Sequence, residues 1–173
     1  MDQLLKDAQN SNHKDNKSKR DELIEQLEKD IIKYCYFTAT RPEIAQEVCQ
    51  ETLIKVMEDI STFTSYRHLV TWSLRVAKNS HIDFIRKKQN SDLNFPDFNQ
   101  DDFAGDEQDI DHTLDIMKSL SKLEPEERHL LTLVDIEGHS YQEASQVLDI
   151  TESALRSRLH KIRKKFIEIH RNE

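Results

Sequence analysis

The sequence predicts an all-α protein of two small helical domains joined by an acidic linker, and three observations carry that expectation. Glycine and proline are scarce, two and three residues in 173, so the residues that Gly-rich phosphate loops and sharp β-turns require are nearly missing. Leu, Ile, Glu, Lys and Gln are abundant and charged residues reach 34%, a composition that favours helices. Apolar residues recur at helical spacing in two blocks, and the stretch between them has no period.

Each element follows from that spacing. Residues 1–18 are polar and without period, which predicts a flexible tail. From Asp21 onward Leu23, Leu27, Ile31 and Tyr34 share one face of a first helix. Pro42 suits the first position of a second helix reaching about Ile60, in which Ala45, Val48, Cys49, Thr52, Val56 and Ile60 turn to a core. Its opposite face carries Glu43, Gln46, Glu47, Gln50, Glu51 and Ile54. After the polar-aromatic loop 61–68, a third helix over about 68–88 ends in Arg86, Lys87 and Lys88, cations suited to a helix C-terminus. These helices give a first domain over 19–89.

Residues 90–111 contain Pro96, Gly105 and many acidic side chains. They read as a linker whose Leu93, Phe95, Phe98 and Phe103 are apolar handles able to dock. The second domain, 112–173, opens with Leu114, Met117, Leu120 and Leu123 at helical spacing. Pro125 starts a helix to about Glu137, and Gly138 suits the left-handed residue that ends it. Ser140 and Glu143 have capping-box spacing ahead of a short helix over 141–147, and Thr151 is the expected N-cap of the last helix. Asp149 occupies the tight turn between them, where left-handed geometry is often needed. The product is a helix-turn-helix.

Charge is uneven along the chain. The formal net charge is -8, yet the chain reads basic before the linker, acidic through it, and basic again at the C-terminus. In the last helix Leu155, Leu159, Ile162 and Phe166 form the core stripe, while Ser153, Ser157, His160, Lys161 and Lys164 cluster opposite. Arg156 and Arg163 flank that face on one edge, Arg158 and Lys165 on the other. Small polar side chains near the start of a helix and cations along its flanks suit a helix lying in a major groove. On the third helix Arg75, Lys78, Asn79, Arg86 and Lys87 beside loop 61–68 offer a second surface for nucleic acid, with Phe63, Tyr66 and Trp72 as candidates for stacking on bases and, for Trp72 and Phe63, the core as the other reading.

Other classes find little support. No apolar window approaches the ~18 residues of a membrane span and the start has no signal-peptide core, so a soluble, cytoplasmic chain without membrane insertion is expected. Cys35 and Cys49 lie on apolar-periodic segments and are expected as buried thiols. The His residues lack ligand spacing, so neither a metal site nor a cofactor is expected, and no nucleophile motif or catalytic residue is found.

Both halves together resemble the bacterial sigma factors of the extracytoplasmic-function type. "IAQEVCQETLIKVMEDISTF" and "LVTWSLRVAKNSHIDFIRKK" are similar to the family's second conserved region, and "LSKLEPEERHLLTLVDIEGHSYQEASQVLDITESALRSRLHKIRKK" to its fourth. The resemblance implies that Gln46, Glu47, Gln50 and Glu51 dock on the clamp coiled coil of core RNA polymerase. It implies that Ser65, Tyr66, Arg67, Arg75, Lys78, Asn79 and Arg86 capture the minus-ten element. It assigns the minus-thirty-five element to Ser153, Arg156, Ser157, Arg158, His160, Lys161 and Lys164, and the polymerase flap to helices around 114–135. The implied partners are core polymerase, promoter DNA and a restraining regulator such as an anti-sigma factor. Family members usually carry acidic residues where this chain has Ile44 and Gln46, and a glycine where it has Asp149. The competing reading is a stand-alone helix-turn-helix regulator, whose dimers would bind a palindromic operator.

Overall fold

A computed structural model describes residues 1–10, 15–39, 41–88 and 107–172, all helix and short connections, with no strand among the described residues. The N-terminal half holds α1 (Asp2–Gln9), α2 (Asp15–Ala39), α3 (Pro42–Asp59) and α4 (Tyr66–Lys88), with a single 3-10 turn over Ile60–Thr62. The C-terminal half holds α5 (Glu107–Ser121), α6 (Pro125–Leu131), α7 (Tyr141–Leu148) and α8 (Glu152–Arg171). α6 runs on into a wider turn over Thr132–Ile136, where Glu137 N–H reaches back five residues to the Thr132 carbonyl.

The expected core faces are the observed ones. Leu23, Leu27, Ile31 and Tyr34 of α2 are fully buried, as are Ala45, Val48, Cys49, Thr52 and Val56 of α3. Both cysteines are buried free thiols, and the hydrogen bond the Cys35 thiol makes to Cys49, with burial, holds it well above its ordinary range. Phe63 is core, edge-on to Trp72 at 5.1 Å. Ile44 is also core, at 6% exposure, so the apolar residue that replaces the family's usual acid there is absorbed by packing and does not alter the outer face of α3.

Two expectations on chain organisation need correction. The flexible tail expected over 1–18 is instead helical over Asp2–Gln9, with Leu5 and Ala8 buried against the first domain. Three apolar residues, Leu4, Leu5 and Ala8, on an octapeptide gave too little periodicity to be seen. α2 likewise begins at Asp15 rather than Asp21. The linker expected over 90–111 falls outside the described residues as far as 106, and 107–111 already belong to α5.

The turn chemistry holds in detail. Ser140 Oγ accepts from Glu143 N–H at 3.2 Å while the Glu143 carboxylate accepts from Ser140 N–H at 3.0 Å. Thr151 Oγ1 accepts from Ala154 N–H at 3.2 Å and starts α8. Gly138 has φ +72 and Asp149 φ 58, the only left-handed residues among those described. Asp tolerates that region better than most residues, so the helix-turn-helix closes without its usual glycine.

The two halves are not separate bodies. α2 and α4 pack on α6 and α7, and buried side chains of both halves form one continuous cluster. Polar groups bridge the seam: Tyr34 Oη lies 2.6 Å from His129 Nδ1, and His129 Nε2 lies 3.0 Å from His81 Nδ1.

Candidate nucleic-acid interface

α8 presents the face its sequence promised. Leu155, Leu159 and Ile162 are buried, whereas Ser153, Arg156, Ser157, His160, Lys161 and Lys164 are exposed. Arg156 sits 5.1 Å from the Tyr141 ring centroid and 3.8 Å from Glu152, so its guanidinium is steered along the helix edge. Arg163 is held by both carboxylate oxygens of Asp135, with Nε donating at 2.9 Å, and Lys165 pairs with Glu127. Those two cations fix α8 to its own domain. Arg158 and Lys161, expected with the duplex-reading set, line a cleft between the two halves together with Lys78, Leu130, Leu148 and Ile150.

The α4 surface is divided. Arg67 donates to Glu143 of α7 at 2.8 Å and Arg75 to Asp149 at 3.2 Å. Lys78 is half-buried in the same seam, its pKa lowered by burial and by Arg75. Asn79 lines a different groove, between α3 and α4, beside Glu47, Glu51, Asp83 and Lys87. Arg86 pairs with Asp83 at 3.3 Å. At the start of α4, Ser65 Oγ accepts from His68 N–H at 3.2 Å, and Tyr66 Oη donates to Asp30 at 2.6 Å. Desolvation and then that carboxylate raise the Tyr66 hydroxyl pKa, so it stays protonated. The expected minus-ten residues thus lie on one helix and its lead-in loop, but Arg67 and Arg75 pair with carboxylates of the other domain and Lys78 lines the seam.

Gln46, Glu47, Gln50 and Glu51 form one exposed strip on α3. Gln46 Nε2 donates to Tyr36 Oη at 3.3 Å, and Glu51 accepts from Lys55 at 2.7 Å, which holds its carboxyl below the usual range. The strip is polar throughout, with exposed Ile54 one turn beyond it.

Sequence reading missed the residues that join the halves. His129 is wholly buried and its pKa lies well below the ordinary imidazole range, through desolvation and then His81 and Arg128. His81 is pushed down to about 3 by burial and then by Arg128. Arg128 itself is 5% exposed, brought down to about 10 by burial, and donates to the Leu123 carbonyl at 3.4 Å. The one signal available was His129 within the run Leu130, Leu131 and Leu133, a polar ring on an apolar face that needs a buried partner.

Comparison with known proteins decides the family. The family model of Sigma-70 region 2 matches residues 23–91, and that of Sigma-70 region 4 matches residues 113–166. The chain is an extracytoplasmic-function sigma factor. Among its relatives, the ECF RNA polymerase sigma factor SigX of Bacillus subtilis is 24% identical over 164 residues, covering 87% of this chain and 84% of SigX. In fold, this sigma factor is similar to RpoE, solved with the anti-sigma factor NepR from Bartonella quintana, at TM-score 0.69 and 18% identity over 91% of this chain and 97% of RpoE. It is equally similar to CnrH, solved with the cytosolic domain of CnrY, at TM-score 0.69 and 17% identity over 98% and 96% of the two chains. The matched regions fall one in each half: region 2 contains α3 and α4, and region 4 contains α6, α7 and α8 as far as Phe166. Among the described residues no helix is long and apolar enough to cross a membrane.

Proposed function

We propose that this sigma factor works in the cytoplasm, binding core RNA polymerase and directing promoter-specific initiation, with its regions dividing the promoter between them. The exposed strip Gln46, Glu47, Gln50 and Glu51 docks on the polymerase clamp. Loop 61–66 with Arg67, Arg75, Lys78, Asn79 and Arg86 takes the unstacked minus-ten strand, and α8 reads minus-thirty-five duplex through Ser153, Arg156, Ser157, His160 and Lys164, with Arg158 and Lys161 toward phosphate. The observation that carries this reading is the outer face of α8: small side chains at its start, cations further along, all exposed beside a fully capped helix-turn-helix. Region 2 in the same chain speaks against a stand-alone operator-binding regulator. The chain acts by binding, as sigma factors do, and not by catalysis.

The closed seam has a functional consequence under this reading. The minus-ten and minus-thirty-five elements lie about 25 base pairs apart, on the order of 85 Å at 3.4 Å per base pair. Lys78 of α4 and Arg158 of α8 line one cleft. Both domains therefore reach their elements only after the seam opens, and the closed form is the natural target of a restraining partner. By likeness to RpoE and CnrH, we infer a regulator of the anti-sigma kind for this chain.

Transcription by bacterial core polymerase on a library of randomised upstream sequences, with and without the purified chain, tests the proposal. Enrichment of templates sharing two elements at fixed spacing is expected. Absence of a stable complex with core and of any enriched promoter would overturn it.

A further inference from the structure

We propose that α1 positions the minus-ten loop, and that Gln9 and Asp2 do so by fixing its two ends. The inference rests on the minus-ten reading of loop 61–66 given above. The Gln9 side-chain amide donates two hydrogen bonds, one to the Ile60 carbonyl and one to the Phe63 carbonyl, each at 2.8 Å. These two acceptors flank the 3-10 turn that leads from α3 into the loop. At the far end, Asp2 Oδ1 accepts from Tyr66 N–H at 2.7 Å, capping the first turn of α4. A carboxylate there also complements the positive end of the helix. One short helix thus holds both ends of the segment that must admit a flipped base.

α1 is itself anchored well enough to act as a brace. Leu5 and Ala8 are buried in the domain core, and Arg20 Nε of α2 donates to the Ala8 carbonyl at 2.9 Å, closing the C-terminal end of α1. Between the two fixed ends, Thr62 and Thr64 are exposed and Phe63 is buried, so the loop is held by its backbone while its polar side chains face outward. Gln9 is the only amide side chain among the described residues with bonds to both carbonyls, and its replacement by glutamate keeps its shape while removing both donors.

The test uses full-length chain reconstituted with core polymerase and, as probe, a fluorescein-labelled single strand carrying the non-template minus-ten sequence of a promoter selected as above. For Gln9→Glu and Asp2→Ala, probe affinity is expected to fall about tenfold, in line with the loss of one or two hydrogen bonds. Core affinity is expected to stay unchanged, as is binding of minus-thirty-five duplex. Asp2→Asn keeps an acceptor for Tyr66 N–H and is expected to restore wild-type capture, an outcome that a general loss of stability does not produce. Hydrogen exchange at residues 61–66 is expected to rise in Gln9→Glu. Wild-type capture matched by undiminished capture in Gln9→Glu and Asp2→Ala overturns the proposal alone. Failure of the wild-type holoenzyme to capture the strand removes the minus-ten reading of the loop, and the proposal with it.

Discussion

α4 and α8 are both basic helices, yet the fold treats them differently. α8 turns its short polar side chains and Lys164 to solvent, whereas Arg67 and Arg75 of α4, though exposed, are ion-paired across the seam with Glu143 and Asp149 of the helix-turn-helix. The same small domain therefore leaves the polar face of one helix open to solvent and engages the other domain's cations through the preceding helix and its turn. Cation content along a chain locates a nucleic-acid surface; tertiary contacts decide whether that surface is available.

Acid is the strongest way to break this asymmetry, because the seam that covers α4 encloses two neutral imidazoles. His129 faces Tyr34 of α2, His81 and Lys78 of α4, and Arg128 of its own helix, and burial together with these neighbouring cations and imidazole opposes a proton on it. Above the unfolded imidazole value of about 6.5 both rings are neutral in either state, and the seam loses nothing. As pH falls below that value, the open or unfolded chain takes up protons that the closed one refuses, and stability is lost until the folded pKa is reached. With a folded value of about 3, His81 alone withdraws on the order of 2 kcal/mol by about pH 5, and His129 acts in the same direction. Thermal melting and interdomain energy transfer measured from pH 7.5 to 5 should show the seam opening, and replacing both histidines with leucine should flatten the profile.

Tyr34→Phe probes the same seam at neutral pH. It leaves His129 Nδ1 buried without its 2.6 Å partner, a loss of about 1–3 kcal/mol that denaturant melts can measure. On the uncovered side, Arg156→Ala and Lys164→Ala should each weaken minus-thirty-five duplex binding by holoenzyme and lower the slope of log affinity against log salt by about 0.9 if each removes one phosphate contact. An unchanged slope would take these residues out of the contact set. The smallest effect belongs to the cover itself. Arg67 is 72% exposed in its pair with Glu143, so a double-mutant cycle on that pair should give under about 1 kcal/mol of coupling. The buried chain, not the ion pairs, then holds the domains together.

Much of the site was legible because it is local. The Ser140 and Glu143 capping box, the Thr151 cap, the left-handed Asp149 and the buried stripe Leu155, Leu159 and Ile162 depend on partners within four residues or on helical period alone. α1 was not legible: its docking depends on Ile60, Phe63 and Tyr66, more than fifty residues away. Ile44 misled in the opposite way, since the acid that family members usually carry there implied surface and packing made it core.

The sequence by itself determined the helices from α2 onward, the caps of α7 and α8, the faces they bury and the family to which the chain belongs, because hydrogen bonds along a helix and hydrophobic period are properties of near neighbours. Tertiary structure alone decided which charges pair across the two halves. Tyr34 and His129 are 95 positions apart, and His81 and His129 are 48. No periodicity links such residues, and only the packing of α2 and α4 on α6 and α7 brings them within bonding distance, at the same time pairing Arg67 and Arg75 with carboxylates of the other half.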